Sequence, residues 1–133
     1  MEENFRDAMV VLDTSIVIDY LEGKKTVVEI VDRYSESSKV TITFITEYEL
    51  LKYKGDKIGR TIWDIVSSFQ VLHSDDSAAV LAALIYKNLK GHGKLINEND
   101  ILLAGICLAN DEILLTGNLD FAKIDNKNII VIK

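Results

Sequence analysis

Met9 to Leu12 is an unbroken apolar run, MVVL, that stops at the polar triplet Asp13, Thr14, Ser15. Short apolar runs rich in β-branched residues fit strands buried on both faces, and an abrupt polar end marks the turn into the next element. The same shape recurs in KVTITF (39–44), FQVLH (69–73), EILLT (112–116) and NIIVIK (128–133). Between these runs the period changes. Val27, Ile30, Val31 and Tyr34 recur at spacings of three and four, which predicts a helix over 25–36. Further helices are predicted over 15–21, about 46–54, about 57–68, 75–90 and 100–110. Gly23 and Gly91 stand where C-terminal caps would close two of them. Single strands alternating with helices imply an α/β fold in one domain, a central parallel sheet of about five strands with helices on both faces. The opening residues 1–8, MEENFRDA, lack either period and are expected to be a flexible N-terminal segment.

Composition narrows the class. A chain of 133 residues with 48% hydrophobic and 27% charged residues suits one globular core. Cys107 is the single cysteine, so no internal disulfide can form, and its apolar surroundings favour a buried hydrophobe over a nucleophile. The acidic start is unlike a signal peptide, and no apolar run approaches the roughly 20 residues that span a bilayer, so the cytoplasm is expected and a membrane is not. A net charge of −6 and a pI of about 4.9 argue against nucleic-acid binding by overall charge. If the chain handles a phosphodiester, a cation or local basic patches must offset its acids.

The acids are informative through their position. In an open parallel sheet, ligands bind outside the carboxyl ends of the strands. Asp13 follows the first strand, Glu47 and Glu49 follow the second, Asp100 opens a helix, and TGNLD (116–120) follows the fourth. Each has a local explanation: Asp13 as an N-cap, Thr46-x-x-Glu49 as a capping box, Asp100 as a first-turn acid with Asn97 or Asn99 as the cap, and Asp120 as the cap of a short turn. Together they deliver carboxylates to one edge, and such a cluster needs a counter-ion. Hard cations such as Mg²⁺ or Mn²⁺ prefer these oxygen donors. Glu47 and Glu49 lie about 200° apart around a helix, so only one of them can face the cleft.

Carboxylates around a hard cation suit metal-assisted hydrolysis, in which the ion activates water and stabilises charge on the attacking and leaving oxygens. Other chemistries fit less well. His73 and His92 fall at a strand end and in a glycine-flanked loop, Asp13 is not followed two residues later by a second Asp, and no GxxxxGK[ST] phosphate loop is present.

Four segments, VVLDTSIVIDYL, ITEYELLKYKG, INENDILLAGICLA and ILLTGNLDFAKI, resemble in order and spacing the PIN-domain ribonucleases, above all the VapC-type toxins of toxin–antitoxin systems. The resemblance covers nearly the whole chain from about residue 9. It implies a Mg²⁺- or Mn²⁺-dependent endoribonuclease acting on translation RNA, tRNA especially, with Asp13 and Asp100 as the principal metal ligands and Glu49 as the family glutamate. Thr14 and Ser15 match the small hydroxyl positions after the first acid, and Thr116 matches the threonine of the last motif. Asn118 or Asp120 completes the set; Asp120 is favoured as the acid, directly or through water, with Asn118 beside it. The resemblance also implies a homodimer and a small antitoxin that covers the cleft. Lys52, Lys54, Lys57, Arg60, Lys87, Lys90 and Lys94 are the candidate RNA contacts, set against the plainer reading of solvated helix faces. Two rival functions remain at this level: a catalytically silent PIN-fold binding module, and a metal-dependent DNA nuclease.

Overall fold

The first strand, β1 (Met9–Leu12), occupies the centre of a five-stranded sheet in the order β3-β2-β1-β4-β5, with β2 at Lys39–Thr43, β3 at Val71–Leu72, β4 at Ile113–Thr116 and β5 at Ile129–Val131. Every pairing is parallel. A parallel neighbour cannot be reached by a tight turn, so helices cross between strands: α1 (Thr14–Leu21), α2 (Lys25–Ser35), α3 (Phe44–Ile58), α4 (Arg60–Ser68), α5 (Asp76–Gly91) and α6 (Glu98–Ala109). This computed structural model describes residues 9–58 and 60–132; residues 1–8, the expected N-terminal segment, and the side chains of 53–62 lie outside the described residues.

Strand side chains alternate between two apolar layers. Val10 and Leu12 of β1 enter one layer with Ile16, Val17, Val27, Val31, Leu50, Val66 and Leu115. Val11 enters the other with Ala82, Leu89, Leu103, Cys107, Leu114 and Phe121. Covering both faces explains why the strands read as continuous apolar runs. Helices α5 and α6 approach closely at Gly105, where a Cβ would stand 2.8 Å from the Ala78 carbonyl oxygen and 2.8 Å from the Ala82 Cβ.

The differences from the sequence reading have physical causes. Helix α3 begins at Phe44, two residues earlier than expected, because the Thr43 hydroxyl accepts the Thr46 amide at 3.4 Å. Thr46 therefore lies inside the helix, its buried hydroxyl has no hydrogen-bond partner among the described residues, and the expected Thr46–Glu49 capping box does not form. Strand β3 shrinks to two residues from the five expected. The left-handed glycine after α5 is Gly93, at φ 67°, not Gly91, which is the last helical residue. Gly23 does take φ 77° after α1. Among the described residues no helix is long and apolar enough to cross a membrane.

Candidate active site

The strand order reverses direction beside β1: the chain passes from β1 to β2 and β3 on one side, then crosses to β4 on the other. Adjacent loops diverge at such a switch point and leave a crevice at the carboxyl ends of the strands. A pocket lies at that edge, lined by Asp13, Thr14, Ser15, Ile18, Glu49, Asp100, Leu103 and Asn118, with a volume of about 290 Å³.

Asp13 is the most firmly held of its acids. It is 5% exposed, and it caps α1 by accepting the Ile16 amide at 3.0 Å on Oδ1. The same oxygen accepts the Ser15 hydroxyl at 2.7 Å, while Oδ2 accepts the Thr116 hydroxyl at the end of β4. Capping and a site role therefore coexist in one side chain. Burial raises the Asp13 pKa; the bonds from Thr116, Ser15 and Ile16 oppose that rise, and the Glu49 charge adds to it.

Glu49 reaches the pocket from α3, and Glu47 is not in the lining. Its Oε1 accepts the Thr14 hydroxyl and its Oε2 accepts the Asn99 amide at 3.3 Å. Asp100 arrives from the first turn of α6. The helix is capped by Asn97, whose side chain accepts the Asn99 amide hydrogen at 2.8 Å, so Asp100 is not needed as a cap. Its Oδ2 accepts the Asn118 side-chain amide at 3.2 Å. Burial first, then the charges of Glu49, Asp13 and Asp120, push the Asp100 pKa up to about 6.

The last motif divides differently from the expectation that favoured Asp120. Asn118 enters the lining and also caps the short 3₁₀ turn Leu119–Lys123 by accepting the Asp120 amide at 2.9 Å. The Asp120 side chain is 50% exposed, lies 3.5 Å from Lys123 Nζ and is absent from the lining. It contributes charge to Asp100 from outside the pocket.

None of the described basic candidates, Lys52, Lys87, Lys90 and Lys94, is in the pocket lining. Lys52 Nζ lies 5.0 Å from the Tyr48 ring centre and Lys90 Nζ 5.9 Å from that of Tyr86. Lys87 lines a separate hollow between α5 and α6 with Tyr86 and Glu98. Lys94 falls in the loop after α5, and its backbone amide bonds the Leu89 carbonyl at 2.8 Å. Lys54, Lys57 and Arg60 have side chains outside the described residues. His73 and His92 are not in the pocket lining, and the His92 ring nitrogen sits 2.8 Å from the Asn88 carbonyl. Asn99 was legible in the sequence only as a possible cap; its position beside a suspected ligand was the available signal of something more.

Asp13, Glu49 and Asp100 supply hard oxygen donors, and the raised proton affinities of Asp13 and Asp100, set by burial first and neighbouring negative charge second, fit the approach of a divalent cation that would offset that charge. As they stand, among the described residues no group of three or more His, Cys, Asp or Glu side chains is placed to hold a metal ion, so binding one would require Asp13, Glu49 and Asp100 to draw closer together.

Comparison with known proteins identifies the family. The PIN domain family profile matches residues 10–127. Ribonuclease VapC3 of Methanocaldococcus jannaschii is 34% identical over 97 residues, 72% of this chain and 95% of that protein. Among solved structures, VapBC-1 from nontypeable Haemophilus influenzae superposes with a TM-score of 0.80 at 23% identity, covering 92% of this chain and 97% of that one. VapBC-5 from Mycobacterium tuberculosis, a member of the VapBC family of toxin–antitoxin systems, gives 0.67 at 24% identity, covering 95% and 98%.

Proposed function

The chain belongs to the PIN-domain family and is of the VapC type, and from that premise we propose that it is a Mg²⁺- or Mn²⁺-dependent endoribonuclease, the toxin of a toxin–antitoxin pair. The observation that carries the proposal is the convergence of Asp13, Glu49 and Asp100, from β1, α3 and α6, on one pocket at the carboxyl edge of the sheet.

The residues divide the work. Asp13, fixed through both oxygens, supplies a rigid anchor. Glu49 and Asp100 complete the donor set, with Asn118 orienting Asp100. When bound, the cation would lower the pKa of an attacking water and neutralise charge on the phosphodiester. Leu103 and Ile18 form the apolar part of the wall and restrict bulk water. The 2′-hydroxyl need not take part, so preference for RNA must come from contacts outside the acid cluster, and Lys52, Lys87, Lys90 and Lys94 are the described cations to test. We favour tRNA as substrate on family resemblance.

VapBC proteins are among the structural neighbours, which supports an antitoxin partner; we place that partner over this edge, and expect a homodimer, on family resemblance alone. The test is cleavage of tRNA, single-stranded RNA and single-stranded DNA by purified protein, with and without EDTA, beside Asp13→Asn. We expect RNA cleavage that needs the divalent ion and is lost in the variant, which keeps a capping oxygen and should remain folded. Cleavage that survives both treatments would refute the proposal, and cutting confined to DNA would reassign the substrate.

A further inference from the structure

We infer that Asn99 is a positioning residue for Glu49, so that the first turn of α6 supplies one acid of the site and orients another. The inference rests on the reading of Glu49 as a cation-holding acid. Glu49 is a long side chain projecting from α3, and its carboxylate is defined by two contacts, one per oxygen: the Thr14 hydroxyl on Oε1 and the Asn99 amide at 3.3 Å on Oε2. Only the amide nitrogen of Asn99 can face a carboxylate oxygen, because the amide oxygen would be repelled. With both oxygens engaged, rotation about the last side-chain bond is restrained and the carboxylate plane is fixed relative to the pocket.

Asn99 is outside the pocket lining, so it acts through Glu49 and not on substrate. It is free for this task because Asn97, not Asn99, caps the helix. Its position next to Asp100 gives the arrangement its consequence. Any displacement of the start of α6 that moves Asp100 also moves the group that holds Glu49, so the two acids shift together. Partners of this kind typically change metal affinity by about 10- to 100-fold when removed.

The test is a double-mutant cycle on Mn²⁺ affinity measured by calorimetry, using wild type, Asn99→Ala, Glu49→Gln and the double variant, with thermal melting of each as the folding control. We expect Asn99→Ala to weaken Mn²⁺ by about 10-fold in the wild-type background and by less than about 2-fold in the Glu49→Gln background, since a residue acting through another has nothing left to act on. Equal losses in both backgrounds, or no loss in either, would overturn the role of Asn99 while leaving the metal site standing. If Glu49→Gln itself leaves Mn²⁺ affinity unchanged, the reading of Glu49 fails and the positioning role falls with it. Should Asn99→Ala melt early, Asn99→Ser, which keeps a donor, is the second variant: partial recovery of affinity supports positioning, and none refutes it.

Discussion

Replacing Asp100 with asparagine should make the cation-free protein more stable at neutral pH while abolishing its activity. In the folded chain the Asp100 carboxyl has its pKa raised from an ordinary 3.8 to about 6. Between these values the folded state binds more protons than the unfolded one, so stability falls as pH rises from about 4 to about 6 and stays lowered above that. Two powers of ten in proton affinity correspond to about 3 kcal/mol at ~1.4 kcal/mol each. Asp100 is only partly buried, and solvent screening reduces that to about 1–2 kcal/mol. Against it stands the loss of an acid in the first turn of α6, worth about 0.3–1 kcal/mol. The asparagine oxygen can still accept from Asn118, so no buried donor is stranded. The net gain is about 1 kcal/mol, a rise of about 3–4 °C in Tm for a domain of this size. Thermal melts in EDTA at pH 7.5 and pH 4 would check it. The gain should be present at pH 7.5 and absent or reversed at pH 4; a variant less stable at pH 7.5, or equally stabilised at both, would refute the charge argument.

Two other consequences are open to direct measurement. Gly105→Ala should destabilise by about 1–3 kcal/mol in urea unfolding, although alanine is the better helix former by ~1 kcal/mol, because backbone atoms of Ala78 and Ala82 lie 2.8 and 3.0 Å from the new Cβ and cannot move aside as a flexible side chain would. Cys107 is fully buried and burial pushes its thiol pKa far up, so Ellman's reagent at pH 8 should label it only after denaturant is added; rapid labelling of the native protein would contradict the packing of α6.

Much of this arrangement was legible in the sequence because period and position carry it. Continuous apolar runs located the strands, the three-and-four spacing at Val27, Ile30, Val31 and Tyr34 located α2, and the turns after β1 and β2 and the opening of α6 supplied acids that share one pocket. Less accessible were features decided by contacts between distant residues. Nothing local separates Asn118 from Asp120; the difference arises because Asn118 turns toward Asp100 while Asp120 pairs with Lys123. Thr46 and Glu49 have the spacing of a capping box, but the Thr43 hydroxyl already begins the helix, freeing Glu49 for Thr14 and Asn99. Nor does sequence spacing show that Asp13 and Thr116 meet.

That bond between the start and the end of the chain has a consequence for biosynthesis. Asp13 and Thr116 are separated by 103 positions, and Asp13 also donates its backbone amide to the Leu115 carbonyl at 3.1 Å. The first acid is therefore made early, and although Ser15 and Ile16 can bond it at once, its partners in β4 arrive only after that strand has left the ribosome. At about 5–20 residues per second, roughly 5–20 s of elongation separate the two. Throughout that interval the nascent chain carries Asp13 without the strand that orders it, beside the RNA machinery that is building it. The edge that carries Asp13 therefore cannot be complete before β4 has been made and has paired with β1.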